Sequence, residues 1–228
     1  MTTKYYRPNT LGEANKIMLD GGGVAIYGLN AKKAIPFGGN IIDLQNCNLI
    51  QVEQVEDALL VGSSVTLQKL IESGQLPSYL LSLVIGEERQ NVRNMVTLAD
   101  VIMHGTGTSK LLGALVALDS ELCIYGNKEN VKVGDFISSP TNGLIEKIII
   151  PTSADLAYES VSRTPQDSPI VISFLAKWKN GRVRLVLGGH GNRPTLVVDG
   201  AGQTGIELAA ASAFANACLL YTSDAADD

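Results

Sequence analysis

Hydrophobic and polar positions divide the first half of the chain into short, capped elements. Thr10-Leu-Gly-Glu13 has the T-x-x-E spacing of a capping box. Ala14, Ile17 and Met18 follow at helical spacing, and Gly21-Gly22-Gly23 supplies the stop. "VAIYG" (24–28) and "IIDLQ" (41–45) are apolar runs of strand type, separated by the turn "PFGGN", so the chain opens as β-α-β-β. "ALLVGSSVTLQKLIESG" (58–74) repeats the scheme with a strand, Thr66 as N-cap, an amphipathic helix through Ile71 and Gly74 as its end. The spacing predicts further helices in "PSYLLSLVIGEE" (77–88) and "SKLLGALVALDS" (109–120). "ELCIYGNKENVKVGDF" (121–136) reads as a hairpin closed around Gly126-Asn127, and "LIEKIIIP" (144–151) as a strand ended by Pro151.

From Thr152 the pattern turns polar ("TSADLAYESVSRTPQDSP"), which marks the expected domain boundary. Beyond it "IVISFLAKW", the turn "KNG" and "RVRLVLGG" form a hairpin in which Asn180-Gly181 is expected to supply the positive φ angles. A helix in "ELAAASAFANA" (207–217) follows. Residues 218–228, "CLLYTSDAADD", break that pattern and closely resemble the translation of a transposase sequencing adapter, so they are excluded from the fold. The expected architecture is α+β, with a domain over 1–152 in two halves that break near 52–58, and a partial α+β domain over 157–217.

Composition narrows the partners. Of 228 residues 45% are hydrophobic and 18% charged, and the net charge is only -5. Nucleic acid would call for a basic stripe, which is not apparent. No apolar run approaches the ~20 residues of a bilayer span, and "MTTKYYRPN" has no apolar segment behind its charges. The chain therefore reads as cytoplasmic. Cys47, Cys123 and Cys218 have no paired spacing, and His104 and His190 are the only histidines, without carboxylates at ligand spacing, so no metal site and no catalytic set is assigned.

The order of motifs resembles the FAD-binding medium subunit of the molybdenum hydroxylases, the carbon monoxide dehydrogenase and xanthine dehydrogenase type. "YYRPNTLGEANKIM" is similar to that family's opening helix, "NIIDLQNCNL" to its Ile-Asp-Leu strand, and "NVRNMVTL" to its Ile-Arg-Asn run. "LGALVALDSEL" is similar to its Leu-Leu-Ala-Leu-Asp helix, "VGDF" to a hairpin edge, and "LVLGGHGNRPTLV" to a Gly-Gly segment of its C-terminal domain. The resemblance spans most of residues 5–200. It implies a two-subdomain FAD-binding fold of the vanillyl-alcohol-oxidase (PCMH) type. It also implies a molybdopterin-containing large subunit and a 2Fe-2S small subunit as partners, with FAD relaying electrons from iron–sulfur centres to an acceptor.

In that family two glycine loops flank the flavin diphosphate, because backbone N–H groups must reach the phosphates without a side chain in the way. The resemblance maps the first, Ala-Gly-Gly-Thr-Asp, onto Tyr27, Gly28, Leu29, Asn30 and Ala31. The second, Thr-Ile/Leu-Gly-Gly-Asn, maps onto Thr97, Leu98, Ala99, Asp100 and Val101, and an Asp at the start of the following helix maps onto Lys110. One glycine remains of the first pair and none of the second. A carboxylate ~4 Å from a diphosphate charge is repelled by about 4 kcal/mol at an effective dielectric near 20, roughly a thousandfold in affinity. The expected function is a flavin relay, in which "HGTGTS" (104–109) or Lys32 and Lys33 hold the anion; the alternative is a flavin-free structural or docking subunit. Arg93 and Asn94 are expected to shape the second loop, Trp178 to lie in core or interface, and Gly188-Gly189 to end a strand.

Overall fold

A computed structural model describes residues 4–28, 40–140, 143–164, 167–189 and 191–201. The chain divides into two units. The first comprises 1–105 and 119–152, the second 106–118 and 153–228.

The first unit opens with strand β1 (Lys4–Tyr6), helix α1 (Leu11–Gly21), β2 (Val24–Ile26) and β3 (Asn40–Asp43), and the three strands form a parallel sheet in the order β1-β3-β2. Thr10 caps α1 by accepting the Glu13 N–H. The Glu13 carboxylate reaches the N–H of Asn9, not of Thr10, so the box is offset by one residue. Gly22, at φ 63, closes the helix by donating to the Met18 carbonyl.

An antiparallel sheet follows, in the order β4-β5-β8-β6-β7, built from β4 (Val52–Val55), β5 (Ala58–Gly62), β6 (Glu121–Ile124), β7 (Val131–Lys132) and β8 (Ile145–Pro151). Residues 52–58, the expected break, thus form a hairpin inside this sheet. Alternation decides its faces: Leu59, Val61, Leu122, Ile148 and Ile150 are buried, whereas Leu60, Cys123 and Ile149 lie half-exposed on the other side. The connecting helices are α2 (Leu67–Glu72), α3 (Ser78–Glu87), α4 (Gln90–Arg93) and α5 (Leu98–His104). "VGDF" is not a hairpin edge, because it begins a helix over Val133–Ser138; only Val131-Lys132 pairs with β6.

The second unit holds α6 (Lys110–Ala117), which leaves the helix over Val133–Ser138 as α7, and the antiparallel sheet β12-β11-β10-β9. Its strands are β9 (Ala154–Val161), β10 (Val171–Trp178), β11 (Arg182–Gly188) and β12 (Thr195–Ala201). Ser109 caps α6 by accepting the Leu112 N–H. Gly113 fits this helix to the sheet, since a Cβ there would stand 2.2 Å from the Phe174 ring. Burying Phe174 fully contributes on the order of 2–3 kcal/mol.

The polar stretch after Thr152 is strand β9, paired along its whole length with β10. Its polarity belongs to an edge, where much of the strand faces water. In the 179–181 turn only Gly181 has positive φ (85°), and Asn180 instead accepts the Arg182 N–H through its side chain. Gly189, at φ 93, ends β11 by donating its N–H to the Gly107 carbonyl. Trp178 lies half-buried under the Arg182 guanidinium, 5.0 Å from its ring centroid. The helix expected at 207–217 and the tail 218–228 lie outside the described residues. Among those described, no helix is long and apolar enough to cross a membrane.

Candidate functional site

Of the residues aligned with the two glycine loops, Tyr27, Gly28 and Thr97 to Val101 are described, and all of them belong to the first unit; Leu29, Asn30 and Ala31 lie outside the described residues. The second loop is not an open turn. Thr97 is the N-cap of α5, and Leu98, Ala99, Asp100 and Val101 form its first turn.

Thr97 and Asp100 make a complete capping box. The Asp100 N–H donates to Thr97 Oγ1 at 3.1 Å, and the Thr97 N–H donates back to Asp100 Oδ2 at 2.9 Å. The Thr97 hydroxyl donates to the same Oδ2 at 2.8 Å. T-x-x-D is the short-chain form of the T-x-x-E pattern. The Leu98 N–H donates to the Val65 carbonyl and the Val101 N–H to the Thr97 carbonyl. The N–H groups of Thr97, Leu98, Asp100 and Val101 therefore all have acceptors inside the chain. Every residue from 97 to 101 is buried, and Asp100 is only 4% exposed.

The first loop approaches this turn directly. A Cβ on Gly28 would stand 2.5 Å from the Met95 carbonyl oxygen, 2.7 Å from Thr97 Cγ2 and 3.0 Å from Asp100 Oδ2. Only glycine permits this approach. Next to it the buried Tyr27 hydroxyl accepts the Ile145 N–H at 2.7 Å. Burial pushes the Tyr27 phenol well above its ordinary range, outweighing that bond, and the Asp100 charge pushes the same way.

One further piece holds the turn, and motif comparison missed it. Residues 62–67 strap it: the Leu67 N–H donates to the Val96 carbonyl, and Thr66 bridges to Thr97. In this strap the Ser63 hydroxyl is fully buried, with no hydrogen-bond partner among the described residues. An orphan hydroxyl carries its desolvation cost, so Ser63→Ala is expected to raise stability by about 1 kcal/mol, or roughly 2–4 °C in Tm. A calorimetric scan showing a lower Tm would contradict this. Arg93, expected to shape the second loop, donates through its guanidinium to the carbonyls of Ile85 and Glu88 and to Gln68 Oε1, tying off the C-terminus of α3.

Burial raises the Asp100 carboxyl above the ordinary carboxylate range, while the Thr97 N–H and hydroxyl pull it back. A carboxyl with a raised folded-state pKa stabilises most where it is protonated in both states, and this contribution is lost as pH rises through the folded value. The stability of the wild type relative to Asp100→Asn is thus expected to fall from acid pH toward neutrality. Parallel denaturation curves across pH test this, and a difference that does not change with pH would contradict it.

In the second unit, the loop before α6 has its own partners: Ser109 caps the helix, and the Thr106 and Thr108 hydroxyls bond to each other at 2.8 Å. Lys110 is the first residue of α6. His104 ends α5, and His190 lies outside the described residues. Among the described residues no group of three His, Cys, Asp or Glu side chains could hold a metal ion.

Residues 1–153 match the model of the FAD binding domain in molybdopterin dehydrogenase. The chain belongs to this family. A relative of this chain is the uncharacterized protein YgfM of Escherichia coli K12, 27% identical over 195 residues that cover 83% of this chain and 75% of the relative. Quinoline 2-oxidoreductase from Pseudomonas putida 86 is similar in structure, with a TM-score of 0.72 at 19% identity over 87% of this chain and 78% of that one. Carbon monoxide dehydrogenase from Hydrogenophaga pseudoflava aligns with a TM-score of 0.71 at 17% identity, over 86% and 78%. The mixed α/β architecture is that of the family's FAD-binding fold.

FAD is the cofactor that membership in this family implies. The residues at 97–101 do not fit its diphosphate. Four of the turn's N–H groups, those of Thr97, Leu98, Asp100 and Val101, already donate within the chain, and a carboxylate occupies the space that glycine would leave open.

Proposed function

We propose that the chain is the flavin-domain subunit of a cytoplasmic molybdopterin-dependent hydroxylase or dehydrogenase. In this reading it joins a molybdopterin-containing large subunit to a 2Fe-2S small subunit and acts as a docking subunit without bound flavin. The observation supporting the docking role is the closed 97–101 turn, in which the Asp100 carboxylate bonds the groups that would otherwise face the phosphates. Substrate oxidation then belongs to the large subunit, and this chain contributes binding surfaces.

The second reading, favoured by the family match over residues 1–153, keeps the same partners. It has the subunit relay electrons through FAD to an acceptor such as NAD or a quinone. Co-expression with the products of neighbouring genes, followed by purification and acid release of flavin, separates the two. The docking reading expects a stoichiometric complex that releases no flavin. One FAD released per complex would overturn it in favour of the relay, and failure to assemble would contradict both.

A further inference from the structure

We propose that the Asp100 carboxylate is a built-in substitute for the cofactor's phosphate, an anion supplied from within the chain that lets the turn fold with no ligand bound. The proposal rests on the docking reading for its meaning but is tested apart from it.

Geometry carries it. Resemblance to the family places a phosphate-facing glycine at position 100, and here the side chain turns back into its own turn. Oδ2 takes two donors from one residue, the Thr97 N–H and the Thr97 hydroxyl, while the Asp100 N–H closes the ring onto Thr97 Oγ1. A Cβ at position 28 would stand 3.0 Å from the same oxygen, so glycine there leaves the carboxylate its space.

The electrostatics point the same way. A buried carboxylate is expensive unless its hydrogen bonds are made, and cationic partners usually offset much of the cost. Asp100 has no salt bridge among the described residues; its compensation is the pair of Thr97 donors and the positive end of α5. Alanine at 100 would avoid that cost but leave the Thr97 N–H without an acceptor in a buried site. The carboxylate does what neither alanine nor glycine can do there: it completes the turn.

Chemical rescue tests the proposal on the full chain. Asp100→Ala is expected to lower Tm by roughly 3–10 °C, since a buried donor loses its acceptor. Millimolar formate, which can enter the space left by the carboxylate, should then restore at least half of that loss. Asp100→Asn, whose amide oxygen can still accept from Thr97, should melt close to the wild type, and neither it nor the wild type should respond to formate. Inorganic pyrophosphate and FAD, added to the wild type, should leave Tm unchanged.

Three outcomes would overturn the idea: Asp100→Ala melting with the wild type, formate raising all three proteins alike, or FAD raising the wild-type Tm as formate raises that of Asp100→Ala. If Asp100→Ala does not fold, formate added during refolding replaces the melt, and no gain in folded yield would count against the proposal. A chain that shows formate rescue but does not assemble with partner subunits would sink the docking reading and leave this inference standing.

Discussion

A chain carrying Leu29→Gly, Ala99→Gly, Asp100→Gly and Val101→Asn together is expected to bind FAD about a thousandfold more tightly than the unmodified chain. Two obstacles act on the same phosphates and would be lifted at once. Removing the carboxylate takes away a charge worth about 4 kcal/mol of repulsion at ~4 Å and an effective dielectric near 20, and it frees the Thr97 N–H and hydroxyl that Asp100 now holds. Glycine at 29, 99 and 100 restores the close backbone approach that a Cβ blocks. Asp100→Gly should give the largest single gain in affinity, but alone it also opens the capping box and costs stability. The four changes are therefore coupled rather than additive. Flavin fluorescence titration of the quadruple variant checks the effect, and affinity unchanged within a factor of a few would contradict it.

Gly62→Ala is expected to be the most damaging single substitution near the site, costing about 3 kcal/mol and roughly 6–12 °C in Tm. A Cβ at this position would stand 2.3 Å from the Leu49 carbonyl oxygen, which is backbone and has little freedom to move. The same carbonyl accepts the Ser64 N–H, and the Gly62 N–H donates to the Gln51 carbonyl, so both sides of the contact are already fixed by hydrogen bonds. Damage here passes directly into residues 63–67, which strap the 97–101 turn. Gly86→Ala is the control: this glycine sits in α3 with open space around it, and alanine there should raise Tm slightly. A Gly62→Ala protein that melts with the wild type would contradict the close packing of this strap.

Local signals made much of the first unit legible. The caps at Thr10 and Thr66 and the stops at Gly22 and Gly74 each depend on a few adjacent residues, and the structure places a helix boundary at each. At the second glycine loop two signals overlap. Thr97-x-x-Asp100 has the same capping-box spacing as Thr10-x-x-Glu13, while resemblance to the family aligns the same residues with a ligand loop; the local rule explains why an acid stands at position 100. Other features depend on long-range pairing and leave little local trace. Strand β9 is polar because it is an edge, and α6 groups with the second sheet through the fit of Gly113 to Phe174, more than fifty positions away in sequence. The Ser63 strap carried no motif, and its signal would have been the pairing of 65–67 with 96–98, which a single sequence does not display.

The most direct test of the account is titration of the purified, unmodified chain with FAD, followed by quenching of flavin fluorescence. A turn closed by its own carboxylate predicts no saturable binding in the submicromolar range. Stoichiometric, submicromolar binding would contradict it and would restore the electron-relay reading.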